Sequence, residues 1–262
     1  MNDILMELSD ASAKRVSQCS RTVPLEKMRD RALLSPAKEG FPFEAALRKE
    51  GMSFICEIKR ASPSKGVIAE DFDHIAIARE YESAGASCIS VLTEPTRFLG
   101  DIGFLKDVSE VVDTPLLRKD FIVDEYQIYE ARANGASAVL LIVSILDEIK
   151  LKRFIELADG LGLSSLVEVH DESEVETAIR CGARIVGVNN RNLHDFTVDP
   201  TNCLRLRSKV PKEILFVAES GIKTDNDVKR LYDEGVDAVL IGETLMRSED
   251  KTAMLKYLRG SI

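Results

Sequence analysis

Four times along this chain a helical pattern runs through a glycine break straight into a short apolar run: Ala84-Gly85-Ala86-Ser87, Asn134-Gly135-Ala136-Ser137, Cys181-Gly182-Ala183-Arg184 and Glu234-Gly235-Val236-Asp237. Each glycine stands where a helix needs a left-handed residue to end. The breaks recur roughly fifty residues apart, the length of two βα units of about 25 residues each. Short β-rich runs supply the strands: Phe54–Lys59, Cys88–Leu92, Leu116–Lys119, Ala138–Val143, Ser165–Val169, Ile185–Asn189, Leu215–Ala218 and Ala238–Ile241. Between them, apolar residues at three- and four-residue spacing predict helices over Ile75–Ser83, Glu125–Asn134, Glu148–Leu161, Glu172–Cys181 and Asp225–Glu234. Asp124, Asp147, Asp171 and Thr224 stand at the cap positions of the last four.

Eight alternating units fit a single (β/α)₈ barrel better than an open doubly wound sheet, which would more often carry a GxGxxG turn after its first strand; this chain has none. At 262 residues the chain can bury one large core. Residues 51–262 are read as the barrel. Residues 1–50 are read as a helical extension packed on it, with helical material at Pro24–Leu33 and Pro42–Lys49.

In such a barrel the chemistry sits at the C-terminal strand ends. Here those ends are polar: Glu57 and Lys59, then Lys119-Asp120, Glu168, Asn189-Asn190-Arg191, Glu219-Ser220-Gly221 and Gly242-Glu243. Side chains alternate along a strand, so Glu57 and Lys59 project together while Cys56 and Ile58 face the other way. Two charges on one strand face are either a structural ion pair or the wall of a polar site.

The net charge of −9 offers no basic surface for phosphate backbones, so nucleic acid and anionic membrane are not expected partners. The acidic N-terminus lacks the basic start of a signal peptide, and no apolar run approaches a membrane span, so a cytoplasmic protein is expected. The odd cysteines Cys19, Cys56, Cys88, Cys181 and Cys203 form no CxxC and read as free thiols. His74, His170 and His194 lack metal-ligand spacing and read as structural or surface residues. Neither a metal nor an organic cofactor is expected.

Five segments together resemble one family, indole-3-glycerol-phosphate synthase of tryptophan biosynthesis: Glu57-Ile-Lys-Arg-Ala-Ser-Pro-Ser-Lys-Gly66, Leu117-Arg-Lys-Asp-Phe121, Leu166-Val-Glu-Val-His170, Gly187-Val-Asn-Asn-Arg-Asn-Leu193 and Ala218-Glu-Ser-Gly-Ile222. Leu240-Ile-Gly242 closes the series, and Glu243 follows where the family often has serine. The resemblance implies a lyase that closes 1-(2-carboxyphenylamino)-1-deoxyribulose 5-phosphate to an indole, losing carbon dioxide and water. It implies Lys119 as general acid and Glu168 as general base. Lys59 would meet the substrate's anionic groups and share the acid role, with Glu57 orienting the lysines. Asn189 and Ser220 would position substrate, while Ser62 and Arg191 would steer its carboxylate or hold the first loop. Gly221 and Gly242, with Glu243, would cradle the phosphate through backbone N–H groups. Asp120, Glu219 and Asn190 read as supporting residues, and Lys65 as a solvated loop charge.

Three other readings stay open on the residues alone. A phosphoribosylanthranilate isomerase would need a cysteine–aspartate pair at strand ends, and Cys56 faces away from Glu57 and Lys59. An aldolase would use Lys119 as a Schiff-base lysine. A barrel that binds a sugar phosphate without turnover would need none of the acid–base set. Beyond the small-molecule substrate, transient contacts with other enzymes of the same pathway are the one partner class expected.

Overall fold

The computed structural model describes residues 4–36, 40–192 and 196–260. Eight parallel strands close into a barrel: β1 (Ser53–Ile58), β2 (Cys88–Leu92), β3 (Leu116–Lys119), β4 (Ala138–Ile142), β5 (Ser164–Val169), β6 (Ile185–Asn189), β7 (Leu215–Glu219) and β8 (Ala238–Ile241). Each pairs with its successor, and β8 returns to β1 through the Ser53↔Ala238 to Cys56↔Ile241 register. The eight expected strands are all present, with ends displaced by no more than one residue.

Three helices come first: α1 (Ile4–Thr22), α2 (Leu25–Leu34) and α3 (Pro42–Leu47). The others alternate with or follow the strands: α4 (His74–Ser83), α5 (Ile102–Ser109), α6 (Glu125–Ala133), α7 (Glu148–Gly160), α8 (Glu172–Arg180), α9 (Asn202–Arg207), α10 (Asp225–Asp233), α11 (Glu243–Met246) and α12 (Lys251–Arg259). Asp124, Asp147, Asp171 and Thr224 each accept a backbone N–H at a helix start, as their positions predict. The four repeat glycines, Gly85, Gly135, Gly182 and Gly235, all lie in the left-handed region, with φ from 78° to 88°. Helix α1 escapes the apolar pattern because only Leu5, Leu8 and Ser12 of its 19 residues are buried. His194 lies outside the described residues.

Strand alternation divides the interior in two. Phe54, Cys56 and Ile58 point outward into the layer between barrel and helices. Ile55, Leu117, Leu140, Leu166, Val217 and Leu240 point inward and fill the barrel. Phe43, Ala46 and Leu47 of α3 join that inner cluster near the start of β2, where the Cys88 thiol contacts the Phe43 carbonyl. Leu5 and Leu8 of α1 join it as well.

A buried charge set ties α1 to β3. Arg118 is about 1% exposed and donates to Asp120 at 3.0 Å, to Glu130 at 2.8 Å and to the Gln127 carbonyl at 2.7 Å. Asp120 also accepts from Arg15 at 2.7 Å and from Thr93 at 2.7 Å. The carboxyl of Asp120 is thereby held below its ordinary range: burial opposes this, but two guanidinium groups and the hydroxyl outweigh it. Lys119 hangs between Arg118 and Asp120 in sequence, so this set stiffens the backbone that carries it.

Candidate active site

The C-terminal strand ends open into a cavity of about 920 Å³. Glu57, Lys59, Lys119, Glu168, Asn189, Ser220, Ser62, Arg191, Gly221, Gly242 and Glu243, the residues singled out from sequence, all line it. Leu5 and Leu8 of α1 line it too, with Phe98, Phe121 and Leu140 adding apolar wall. No local pattern in residues 1–50 marked α1 as part of a cavity.

The floor is a charge cluster that only barrel closure assembles. Lys119 Nζ from β3 lies 3.1 Å from Glu168 Oε2 on β5 and 3.2 Å from Glu219 Oε2 on β7. Lys59 and Glu57, both from the β1 end, pair at 2.6 Å. Asn189 on β6 donates to Glu168 Oε1 at 3.3 Å, and its own side-chain oxygen accepts the Arg191 backbone N–H at 3.0 Å.

The two carboxylates around Lys119 have diverging fates. Burial raises both, yet Glu168 ends below its ordinary range because Lys119, His170 and the Asn189 amide all favour its anion. Burial also dominates Glu219, which Lys119 alone does not offset, and its neighbours Glu168 and Glu57 push it further, to about 7. Among the described residues Glu219 Oε1 is buried without a hydrogen-bond partner, which accounts for the weaker stabilisation of its charge. Lys119 is held as an ammonium above its ordinary range: burial works against the charge, and Glu168, Glu219 and Glu57 prevail.

Two sequence readings change here. Glu219, taken as a supporting residue beyond the end of its strand, is the last residue of β7 and faces inward with Leu215 and Val217. Its parity with those two residues was the available signal. His170, read as a structural or surface residue, in fact turns Nε2 toward Glu168 Oε1 at 3.5 Å, since positions two apart share a face. Asn190 and Asp120 do support: Asn190 holds the Ser220 carbonyl at 3.1 Å and the Cys203 N–H at 3.0 Å.

At the rim, Ser220 and Gly221 adopt left-handed backbone, φ 66° and 82°. For a serine this is a strained conformation of the kind that collects at functional sites. Thr244 Oγ1 donates to the Ile222 carbonyl at 2.7 Å and ties the loop after β7 to the one after β8. A side chain at Gly242 would overlap Glu57 Oε1 and approach Lys59 Nζ to 2.9 Å, so the lack of a Cβ here makes room for the ion pair. Glu243 is ringed by Arg247 at 3.3 Å, Arg191 at 3.8 Å and Lys65 at 3.9 Å. Lys65 is therefore part of a cationic rim, not an isolated loop charge. Ser62 ends the first strand of a short ribbon, Ala61–Ser62 against Gly66–Val67, and its carbonyl accepts from the Lys65 backbone N–H.

Among the described residues, no group of three or more His, Cys, Asp or Glu side chains is arranged to hold a metal ion, and no helix is long and apolar enough to cross a membrane. The five cysteines are free thiols, and burial pushes Cys56 up to about 12.

A family model described as indole-3-glycerol phosphate synthase matches residues 5–258. The chain belongs to the indole-3-glycerol phosphate synthase family. A protein of that name from Ruminiclostridium cellulolyticum is 54% identical over 258 residues, covering 98% of this chain and 99% of the relative. Another, from Lachnoclostridium phytofermentans, is 50% identical and covers 98% of each. Among solved structures, a 3-hexulose-6-phosphate synthase superposes with a TM-score of 0.66 at 16% identity, over 80% of this synthase-family chain and 100% of its own. That likeness concerns the barrel alone.

Proposed function

We propose that this protein is an indole-3-glycerol phosphate synthase in which Lys119 is the general acid and Glu168 the general base. The reading is carried by one observation: a buried lysine bridging two carboxylates, 3.1 and 3.2 Å away, on the floor of a half-apolar cavity with a cationic rim.

The aromatic ring of the carboxyphenylamino group packs against the apolar wall, and its phosphate lies at the loops after β7 and β8. There the N–H groups following Gly221 and Gly242 serve as donors; the one after Gly242 opens α11, where first-turn N–H groups lack intrahelical acceptors. Glu243 draws Arg191, Lys65 and Arg247 to the same rim. A phosphate competes with that carboxylate for their charge.

Ring closure requires the sugar carbonyl to become electrophilic. Lys119, charged and poorly solvated, polarises the oxygen and delivers a proton as negative charge develops there. Lys59 backs it, with Glu57 fixing its ammonium, and Arg191 and Ser62 orient the departing carboxylate. Loss of carbon dioxide restores the aromatic ring. Dehydration then removes a proton from the methylene carbon beside nitrogen while the hydroxyl leaves as water. Glu168, kept anionic, takes that proton; Asn189 and Ser220 hold the substrate in line.

The same geometry disfavours the rivals. A Schiff-base lysine must be a free amine, and Lys119 is held protonated. Cys56 faces the outer layer, with no route to the cavity. We read residues 1–50 as part of the same unit, since α1 supplies cavity wall through Leu5 and Leu8.

Purified protein mixed with carboxyphenylamino-deoxyribulose phosphate, with neither metal nor nucleotide added, is expected to develop indole fluorescence. Lys119→Ala and Glu168→Gln should abolish it. A flat trace from folded wild-type protein would overturn the activity. Full activity in either variant would overturn its role.

A further inference from the structure

The chemistry just described has an unbalanced proton ledger. Two protons reach the departing oxygen, one at ring closure and one at dehydration, while only one comes off the methylene carbon. Where Lys119 delivers both, with Lys59 only supporting it, Lys119 must be reloaded between the two steps, when substrate fills the mouth above it. Its side chain is only 14% exposed, and that of Glu168 is 1% exposed.

Beside Glu168, and not among the residues that line the cavity, stands His170. Its Nδ1 lies 3.1 Å from Glu174 Oε2, and its backbone N–H donates to the same oxygen at 2.7 Å. A carboxylate only accepts, so Nδ1 carries hydrogen. Asn202 Nδ2 donates to the His170 carbonyl at 3.1 Å and fixes the backbone. The other ring nitrogen, Nε2, is buried, has no hydrogen-bond partner among the described residues and faces Glu168 Oε1 at 3.5 Å. The opposite oxygen of Glu168 is the one bound to Lys119. A closure of a few tenths of an ångström would make the line Glu174–His170–Glu168–Lys119 continuous.

We propose that His170 is a proton reservoir for the Lys119–Glu168 pair, lending one proton from Nε2 between ring closure and dehydration and regaining it from Glu168. This inference rests on the synthase reading above. After Lys119 protonates the carbonyl oxygen, the Nε2–H bond breaks and Glu168 Oε1 takes that proton; the neutral carboxyl then turns about its Cγ–Cδ bond and gives the same proton to Lys119, leaving Glu168 anionic again. His170 is left neutral with hydrogen on Nδ1. At dehydration Lys119 protonates the leaving hydroxyl, Glu168 takes the methylene proton and passes it to Nε2. The ring ends as it began, and the single proton consumed overall re-enters at Lys119 once product leaves. His170 touches no reacting atom; it acts through Glu168.

Starting as an imidazolium suits its surroundings. Glu174 on α8, Glu168 on β5 and Glu219 on β7 all raise its pKa against the opposing effect of burial, and Asp171 adds a further neighbouring carboxylate.

The test follows carbon dioxide release and indole emission separately in single turnovers of the full-length wild type, His170→Gln and His170→Ala. In His170→Gln, carbon dioxide release should stay near the wild-type rate while indole formation lags by about a hundredfold or more, within the range of lost acid–base assistance. KM should not move. In His170→Ala, added imidazole should restore the lagging step. Carbon dioxide and indole appearing in step in His170→Gln, at wild-type or reduced rate, would overturn the reservoir, as would failure of imidazole to rescue a folded His170→Ala. Should the alanine variant not fold, the glutamine variant alone decides. A wild type producing no indole would sink the synthase reading itself, a distinguishable result.

Discussion

Glu219→Gln should make this protein more stable and less active, with a stability gain that grows with pH. In the fold Glu219 is 2% exposed and shares Lys119 with Glu168, and its carboxyl is raised from 4.5 to about 7. Because the folded value is the higher one, the native state keeps a proton that the unfolded chain has lost between these two pH values. Stability therefore falls as pH rises through that window. At about 1.36 kcal/mol per pH unit, the full cost is about 3 kcal/mol once both states are ionised, and it vanishes below the unfolded value. Glutamine keeps the shape, its carbonyl can still accept from Lys119, and it has no charge to desolvate. Urea unfolding of wild type and variant at matched pH values from about 4 to 8.5 should show a difference near zero at the acid end. That difference should rise to about 3 kcal/mol in favour of the variant at the alkaline end. Titrating groups remote from Glu219 are common to both proteins and cancel, which leaves Glu219 and the charges beside it, Lys119, Glu168 and His170, as the source of the difference. The turnover rate should drop together with this gain, as Lys119 loses one of its two anchoring charges. A difference independent of pH, or one favouring the wild type at alkaline pH, would refute the account of Glu219.

Other substitutions probe other parts of the structure. Gly242→Ala places a methyl group against Glu57 and 2.9 Å from Lys59 Nζ, so the ion pair must shift; steady-state kinetics should show a raised KM with a lowered kcat and an intact fold. Arg118→Leu strands the fully buried Asp120 with only Arg15 as its cationic partner and should cost about 3–5 kcal/mol in urea unfolding, the penalty for breaking a buried ion pair. Thr224→Ala removes a capping box at the start of α10 and should lower stability by about 1 kcal/mol without touching kcat. Cys56, buried and pushed to about 12, should resist alkylation in the native state and react only on unfolding, checked by mass spectrometry after iodoacetamide treatment.

What the linear sequence determined is whatever depends on neighbours a few residues away. Glycines that end helices, aspartates that cap them, strand edges and the shared face of Glu57 and Lys59 all follow from local backbone preference and two-residue alternation. The polar strand ends likewise marked the cavity's residues before any coordinates. Tertiary structure decided which charges meet. Lys119, Glu168 and Glu219 lie on three different strands, and only barrel closure sets the two carboxylates 3.1 and 3.2 Å from the lysine. The same convergence, not any single motif, turns Lys119 into a strongly held ammonium and splits two chemically identical carboxylates into one lowered and one raised. It also seats a mostly polar helix, α1, over the mouth and turns His170 onto Glu168. Those outcomes depend on desolvation and on charges brought from distant parts of the chain, which no local pattern encodes.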